Sequence, residues 1–190
     1  MKTYPGIILT GGKSRRMGRD KAFLNVEGIP LIRRVTDAMK EVCDEVFLVG
    51  GVEEKFASLE FPWFPDLVPD QGPLGGIYTA LTHLKADVVV AACDLPYVSP
   101  SLICFLSSHH DPASCSITVV RSKTTIQPLL GVYGVRCLYE LALFLNTGRR
   151  RVKDFLDEVP TAFLSLESAP VPFPEQSLLN LNTPQDIPLL

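Results

Sequence analysis

A glycine pair followed by several cationic side chains is the first segment of this sequence that could do chemistry. Gly11 and Gly12 let the backbone turn sharply and bring its N–H groups close to a phosphate, where a side chain would clash. Countercharge comes from the side chains that follow, which are Lys13, Arg15, Arg16, Arg19 and Lys21. The combination predicts a phosphate-binding loop. Because glycine pairs are common in turns, a solvated basic turn is the competing interpretation.

Two well-known nucleotide-binding motifs do not describe this loop. A P-loop requires a glycine five positions before its second glycine, but Ile7 occupies that position and Gly6 is one residue out of register. The dinucleotide-binding fingerprint also fails, because Gly11 and Gly12 are adjacent and Gly18 is too distant. The sequence therefore predicts a phosphate loop of another type.

Asp94 is the candidate metal ligand, because it directly follows the apolar run 88–93. Mg²⁺ usually binds one or two carboxylates and takes its other ligands from phosphates and water. The alternative role is a cap on the helix expected to begin near Ser99, but Ser99 suits that role better. We therefore expect Asp94 to bind the metal.

A second acidic segment contains Asp66 and Asp70 and continues as Gln71-Gly72-Pro73-Leu74-Gly75-Gly76-Ile77. Gly75 and Gly76 are expected to open a helix whose N-terminus faces an anion or a polar base edge. An ordinary turn between a strand and a helix is the alternative.

Arg149, Arg150 and Arg151 follow Gly148 at the predicted start of another helix. Arginine binds phosphate by paired hydrogen bonds, and cations at a helix N-terminus oppose the helix dipole. The triplet is expected to bind an anion that supplies the missing countercharge, with a solvated helix start as the alternative.

The elements that position these residues alternate between strands and helices. Short apolar runs predict strands at residues 7–10, 46–49, 88–92 and 117–120, and helical spacing predicts helices at 30–42, 77–84 and 135–145. This order implies an α/β fold with a mostly parallel sheet covered by helices on both faces. Ligands bind beyond the carboxyl ends of strands in such sheets, which favours the phosphate loop over the basic turn.

Length and composition limit the possible classes of protein. The 190 residues suit one domain, 1–190, and no apolar run is long enough to span a membrane. A net charge of -3 argues against nucleic acid as a partner. The five cysteines form no C-x-x-C pair and the N-terminus has no export signal, so a cytoplasmic protein with reduced thiols is expected. The three histidines show no zinc spacing.

The segment Leu9–Lys21 resembles the signature loop of molybdenum cofactor guanylyltransferases, with Thr10 in place of the usual alanine. This resemblance implies a three-layer, Rossmann-like nucleotidyltransferase fold in which the loop wraps the triphosphate of GTP. The substitution at Thr10 is expected to leave the backbone amides available. The residues of the loop that the resemblance implies in nucleotide binding are Leu9, Thr10, Gly11, Gly12 and Lys21.

The resemblance extends over nearly the whole chain through further segments. It implies nucleotide binding by Asp66 and Gly72, and magnesium and nucleotide binding by Asp94. Gly50 occupies the position of a family residue near the base and lacks its polar side chain. The segment 127–133 is similar to a family strand near the pterin-binding half of the cleft. The residues implied in binding the acceptor are Arg150, Arg151 and Asn182, the last in a segment (180–186) that predicts a strand end and a capped helix.

The implied reaction is transfer of GMP from GTP to the terminal phosphate of molybdopterin, with release of pyrophosphate; whether molybdenum is inserted before the transfer stays open. Arg16, Lys21 and Asp94 are the implied catalytic residues, and Mg²⁺ is the implied cofactor. Cofactor-insertion or acceptor enzymes are expected partners. Two alternatives stay open: a cytidylyl- or sugar-phosphate nucleotidyltransferase on the same fold, and a noncatalytic module that binds GTP or pterin.

Overall fold

The structure, a computed structural model, describes residues 3–11 and 21–181. The strands in this part of the chain are β1 (Gly6–Leu9), β2 (Asn25–Val26), β3 (Ile29–Pro30), β4 (Val46–Val49), β5 (Trp63–Phe64), β6 (Val88–Ala92), β7 (Ile117–Arg121), β8 (Ile126–Tyr133) and β9 (Thr161–Ser165). The α-helices are α1 (Leu31–Lys40), α2 (Glu53–Phe56), α3 (Pro73–Leu84), α4 (Pro100–Ser108), α5 (Leu138–Asn146) and α6 (Val152–Leu156). Short 3₁₀ turns occur at Lys21–Phe23, Ala57–Leu59, Val135–Cys137, Leu166–Ser168 and Glu175–Leu178.

The central sheet has the strand order β5-β4-β1-β6-β8-β7-β9, and β2 pairs with β3 in a separate hairpin. β1 is parallel to both of its neighbours, β4 and β6. β5 is parallel to β4 and β9 to β7, whereas β8 is antiparallel to β6 and β7. One strand of the seven therefore runs against the rest. This confirms the predicted α/β fold with a mostly parallel sheet.

The sheet is the middle of three layers because its central strands bury both faces. On one face Ile8 and Leu48 pack with α1 and α4. On the other face Ile7 and Val49 pack with α3, α5 and α6. Neighbouring residues of a strand point to opposite faces, so a strand covered on both sides is apolar throughout. This explains the uninterrupted apolar runs seen in the sequence.

The course of the chain creates a switch point beside β1. From β1 the chain passes outward through α1 to β4 and β5, and then returns through α3 to β6 on the opposite side of β1. A crevice forms at the carboxyl ends of strands where the winding direction reverses. The residues after β1, β4 and β6 meet at this crevice, as the predicted sheet required.

The glycine pair 75–76 has a different role from the predicted one, because α3 already begins at Pro73. A Cβ atom on Gly76 would lie 2.7 Å from Leu9 Cδ2, and one on Gly75 would lie 2.9 Å from Gln71 Cβ. These glycines lie inside the first turn and allow close packing of α3 on β1 and on the preceding loop. The expectation that they open the helix is wrong.

Two other boundaries differ from the predicted ones. A 3₁₀ turn at Val135–Cys137 precedes α5, so the helical pattern from residue 135 covers two elements. The strand end predicted at Asn180 is wrong, because residues 179–181 follow the 3₁₀ turn Glu175–Leu178 without joining a sheet. The capped helix predicted after them lies outside the described residues.

The remaining global expectations concern membranes and thiols. Within residues 3–11 and 21–181, the helices are all too short or too polar to cross a bilayer. All five cysteines have free thiols, in agreement with the prediction.

Candidate active site

An ion pair between Lys21 and Asp94 joins the ends of two segments that are far apart in sequence. Lys21 Nζ donates a hydrogen bond to Asp94 Oδ2 at 2.7 Å. Asp94 follows β6 and Lys21 begins the 3₁₀ turn after the loop that leaves β1. The Lys21 side chain is 15% exposed and that of Asp94 is 19% exposed, so the pair is largely shielded from solvent yet still accessible to a ligand. The structure therefore brings together two of the predicted catalytic residues.

Asp94 is oriented by the C-terminal segment. Asn180 Nδ2 donates to Asp94 Oδ1 at 2.7 Å, and the Leu181 backbone N–H donates to the Asp94 carbonyl at 3.0 Å. Ser99 caps α4, because its Oγ accepts a hydrogen bond from the Leu102 backbone N–H. This confirms the prediction that Ser99, and not Asp94, caps this helix.

Asp66 lies among three glycines at the other side of the crevice. Cβ atoms added to Gly11, Gly50 and Gly76 would lie 3.5, 2.9 and 3.8 Å from its carboxylate oxygens. Burial raises the pKa of the Asp66 carboxyl above its ordinary value. The next residue is fixed by α3, since Thr79 Oγ1 accepts a hydrogen bond from the Leu67 N–H at 3.0 Å. The fold thus holds a partly desolvated carboxylate in place.

A cavity of about 520 Å³ contains this carboxylate, a volume within the usual range of about 300–1,000 Å³ for small-ligand pockets. Apolar side chains and backbone form most of its wall, and the charged residues in it are the carboxylates Asp66 and Asp70 and the cation Arg150. The lining includes these residues of the predicted nucleotide site: Leu9, Gly11, Asp66 and Gly72. Gly11 continues β1, and β1 pairs with β6, which leads into Asp94. The cavity and the Lys21–Asp94 pair therefore adjoin at the same edge of the sheet.

Hydrogen bonds between the residues that end β1 and β4 hold together the part of the cavity wall that these strands form. Thr10 Oγ1 lies 2.7 Å from the Gly50 carbonyl and 3.1 Å from the Val49 carbonyl, and Trp63 Nε1 donates to the Gly50 carbonyl at 2.8 Å. The Thr10 amide also donates to Val49. The Thr10 side chain thus contacts carbonyl oxygens and engages no backbone amide, whereas the Thr10 N–H itself serves the junction of β1 and β4.

The profile of the MobA-like NTP transferase domain matches residues 6–162. The chain belongs to this family. A protein from Pelotomaculum thermopropionicum named "Probable molybdenum cofactor guanylyltransferase" is 37% identical over 96% of this chain and 89% of its own length. A protein of the same name from Carboxydothermus hydrogenoformans is 34% identical over 98% of this chain and 94% of its own length.

Solved structures agree with the family assignment. Molybdopterin-guanine dinucleotide biosynthesis protein A from Archaeoglobus fulgidus has a TM-score of 0.80 at 26% identity, covering 96% of this chain and 94% of that one. A protein from Aquifex aeolicus has a TM-score of 0.79 at 29% identity, covering 95% and 94%. The chain is thus a MobA-like nucleotidyltransferase, and the resemblance noted in its sequence is confirmed.

Within this MobA-like fold, Gly50 cannot carry the polar side chain that the resemblance leads one to expect. Gly50 has φ +81°, and a Cβ there would lie 2.9 Å from the nearer Asp66 oxygen. Positive φ disfavours other residues, so the backbone conformation and the space needed by Asp66 both require glycine. The Asp66 carboxylate occupies the region that a side chain at this position would enter.

The arginine triplet splits into three environments instead of forming one clamp. Arg149 pairs with Glu158 and stacks over Phe144, with its guanidinium carbon 4.5 Å from the ring centroid. Arg151 is 75% exposed and lies 3.8 Å from Asp154. The expectation that a ligand supplies the countercharge is therefore wrong for Arg149, because carboxylates of the protein supply it.

Arg150 is the member of the triplet that faces the cavity. Its Nε donates to Gln71 Oε1 at 3.2 Å, which connects the α5–α6 loop to the loop before α3. This position places Arg150 in the same cavity wall as Gly11 and Asp66, whereas the sequence assigned it to the acceptor. Its role as an acceptor ligand stays a prediction, and so does that of Arg151.

Three further predicted site residues, Gly12, Arg16 and Asn182, lie outside the described residues. Their roles stay predictions. In the part of the chain that is described, no three His, Cys, Asp or Glu side chains cluster closely enough to hold a metal.

Sequence reasoning missed three residues that shape the site. Asn180 contacts Asp94, Gln127 contacts Asn180, and Trp63 fixes the Gly50 carbonyl. Asn180 belongs to the segment 180–186, which also contains the predicted acceptor ligand Asn182, and Gln127 is a polar residue in an otherwise apolar strand. Trp63 carries no comparable signal, because its hydrogen-bonding partner is a backbone carbonyl, that of Gly50 just after β4.

Proposed function

We propose that this nucleotidyltransferase transfers GMP from GTP to the terminal phosphate of molybdopterin and releases pyrophosphate. The observation that carries the proposal is the Asp66 carboxylate held in a nucleotide-sized cavity beside the Lys21–Asp94 pair. Relatives named as molybdenum cofactor guanylyltransferases support the same assignment.

Asp66 supports guanine as the base because a carboxylate accepts hydrogen bonds and donates none when ionised. Guanine has two adjacent donors on one edge, the N1–H and the 2-amino group, which match two carboxylate oxygens. Adenine, cytosine and uracil lack such a pair. Apolar side chains of Val49, Val52 and Pro73 contribute to the cavity wall and can pack on the faces of the ring.

Lys21 and Asp94 support transfer chemistry. In the proposed complex the Lys21 ammonium donates to the triphosphate, and the Gly11 backbone permits close approach of a phosphate. The attacking phosphate of molybdopterin is already anionic, so the reaction needs no strong general base. The contribution of the protein is positioning and charge stabilisation.

Asp94 has the chemistry expected of a magnesium ligand. Its two oxygens are hard donors at the carboxyl end of β6, and hydrogen bonds from Lys21 and Asn180 leave further lone pairs on both. One carboxylate is sufficient when phosphates and water provide the other ligands. A bound Mg²⁺ supplies charge neutralisation on the phosphates of GTP.

The decisive experiment incubates the purified protein with Mg²⁺ and molybdopterin, adds GTP, ATP, CTP or UTP separately, and measures pyrophosphate. We expect release with GTP alone, accompanied by the guanine dinucleotide product detected by mass spectrometry. Release with CTP in place of GTP would replace the proposal by a cytidylyltransferase. GTP binding without release would leave the noncatalytic alternative.

A further inference from the structure

We infer that Gln127 is a positioning residue that sets the orientation of Asp94 through Asn180. This inference rests on the proposed function, because it assigns Asp94 the role of holding the metal and nucleotide. Gln127 lies on β8 and is 4% exposed, and among the described residues its side chain hydrogen-bonds to Leu178, Asn180 and Leu129 and not to Asp94. Its effect on the site therefore passes through Asn180.

The hydrogen bonds of Gln127 have a fixed direction. Its Oε1 accepts from the Leu129 backbone N–H at 3.2 Å, and its Nε2 donates to the Leu178 carbonyl at 2.9 Å. A backbone N–H can only donate and a carbonyl can only accept, so these two contacts determine which end of the amide is which. The second hydrogen on Nε2 must then point to an acceptor.

That acceptor is Asn180 Oδ1, which lies 2.6 Å from Gln127 Nε2. With its oxygen facing Gln127, Asn180 has its Nδ2 directed at Asp94 Oδ1, 2.7 Å away. A carboxylate requires a donor in this position. If the Asn180 amide rotated by half a turn, two oxygens would face each other at Asp94 and two donors would face each other at Gln127. Gln127 thus selects the orientation of Asn180 that Asp94 needs.

A bulge in β8 allows this arrangement. Gly131 pairs with Val119 and Gln127 pairs with Val120, so the three residues between them have no partner on β7. The bulge leaves the Leu129 N–H available to Gln127. The buried Tyr133 hydroxyl stabilises the bulge by donating a hydrogen bond to the Pro128 carbonyl at 2.6 Å. Bulges commonly redirect a side chain next to an active site.

Gln127→Met and Gln127→Glu test the inference, with Thr118→Val as the control. Methionine keeps the size of the side chain without its polar atoms, and glutamate keeps the shape but loses both N–H donors. Thr118 is a buried residue of β7 that bonds His110 away from the cavity, so its replacement also removes a buried hydrogen bond. Both Gln127 variants are expected to raise the Mn²⁺ dissociation constant in the presence of GTP by about 10–100-fold, as losses of partners behind a metal ligand do.

Three readouts separate positioning from a general effect on the fold. We expect a reduced kcat, a GTP KM within about threefold of the wild type, and faster solvent exchange of the Asn180 side-chain amide in ¹⁵N spectra. In the double variant Gln127→Met/Asn180→Ala, the Mn²⁺ affinity should equal that of Asn180→Ala alone, because the first residue acts through the second.

Unchanged Mn²⁺ affinity in both Gln127 variants, additive effects in the double variant, or an equal loss of affinity in Thr118→Val would each overturn the inference. Mn²⁺ binding and amide exchange need no turnover. If the wild type releases no pyrophosphate with any nucleotide, the proposed function fails, and these two readouts still decide whether Gln127 orients Asn180 and Asp94.

Discussion

At the scale of single residues, the two carboxylates Asp66 and Asp94 have different proposed roles because their surroundings differ. The Asp94 carboxylate accepts hydrogen bonds from Lys21 Nζ and Asn180 Nδ2. Asp66 lies against glycine backbone, and its burial raises the pKa. The surroundings of Asp94 suit a carboxylate that coordinates a cation. Those of Asp66 suit a carboxylate that accepts hydrogen bonds from a bound nucleobase.

Replacing Asp94 tests the first of these roles. We expect Asp94→Asn to lower kcat by about 100-fold or more, because it removes the charge that holds the metal and pairs with Lys21. Thermal unfolding followed by circular dichroism should show a nearly unchanged Tm. Asp87→Asn is the matched control, since Asp87 lies at the opposite end of the same strand and accepts a hydrogen bond from the Val135 N–H. Near-normal turnover in Asp94→Asn would remove the metal assignment.

Replacing Asp66 tests the second role and has opposite effects on affinity and stability. We expect Asp66→Asn to raise the GTP KM by roughly 10–100-fold through loss of a charged acceptor, and to raise Tm by about 1–3 °C by removing a desolvated charge. Asp37→Asn, an exposed change on α1, is the control for loss of one negative charge. A lower Tm together with unchanged KM would show that Asp66 has a structural role only.

The pKa of Asp66 also predicts a pH dependence. Because its folded-state pKa is raised, the folded protein binds this proton more tightly than the unfolded chain does. The stability of the wild type should therefore fall as pH rises through that pKa, whereas Asp66→Asn lacks this component. Urea unfolding over a pH series should give free energies that converge at acidic pH and favour the variant at neutral pH. A constant difference across the series would contradict the assignment.

At the scale of elements, the loop before α3 depends on one glycine. Gly72 has φ +62° and ψ −154°, a combination accessible almost only to glycine, and it caps the helix that Pro73 begins. This conformation directs the chain from the Asp66 loop into α3. Packing does not require glycine here, since a Cβ at this position would meet nothing within 4 Å.

Gly72→Ala should therefore act through backbone strain. We expect a loss of about 1–3 kcal/mol in the free energy of unfolding and a roughly tenfold rise in the GTP KM, because the cavity wall shifts. Gly28→Ala is the matched control, since Gly28 also has a positive φ of +79° and open space around it but belongs to the β2–β3 turn. Urea unfolding and steady-state kinetics measure both effects. Equal KM values for the two variants would show that Gly72 does not shape the site.

At the scale of the whole molecule, the site is assembled from segments distributed over most of the chain. β1, β4, β6, α3 and the residues 180–181 all contribute contacts around the two carboxylates. A ligand bound there contacts many parts of the native state and few of the unfolded chain. Binding should therefore stabilise the entire fold by mass action.

We expect Mg²⁺ and GTP at 100 times the dissociation constant to stabilise the protein by about 2.7 kcal/mol, or roughly 5–10 °C in Tm for a chain of this size. Differential scanning fluorimetry with each of the four nucleotides measures this shift. ATP, CTP and UTP at the same concentration should give smaller shifts, and Asp66→Asn should reduce the preference for GTP. Equal shifts for all four would show that base selectivity does not arise in this cavity.

Much of this arrangement could be predicted from the sequence because it is encoded locally. The apolar runs of β4 and β6 define those strands, and the parallel order of the sheet brings Asp94 and Gly11 to one edge. Ser99 is a favourable N-cap residue directly before α4, so the sequence predicts that Asp94 is not needed as the cap. Each strand and the helix cap depend on residues only a few positions apart, and the alternation of strands with helices implies the parallel order, so the sequence by itself determined these features.

Other features were decided only by the tertiary structure, because they join residues far apart in the chain. Gln127 meets Asn180 across 53 positions, and Asn180 meets Asp94 across 86. Arg149 and Arg150 are adjacent, yet one pairs with Glu158 and the other faces the cavity. The spacing of apolar residues predicts which face of a helix or strand is buried. It does not predict which distant side chain will form a hydrogen bond with a buried polar group. That pairing follows from the packing of the layers, and it gives Asp94 and Asp66 the different surroundings on which their proposed roles rest.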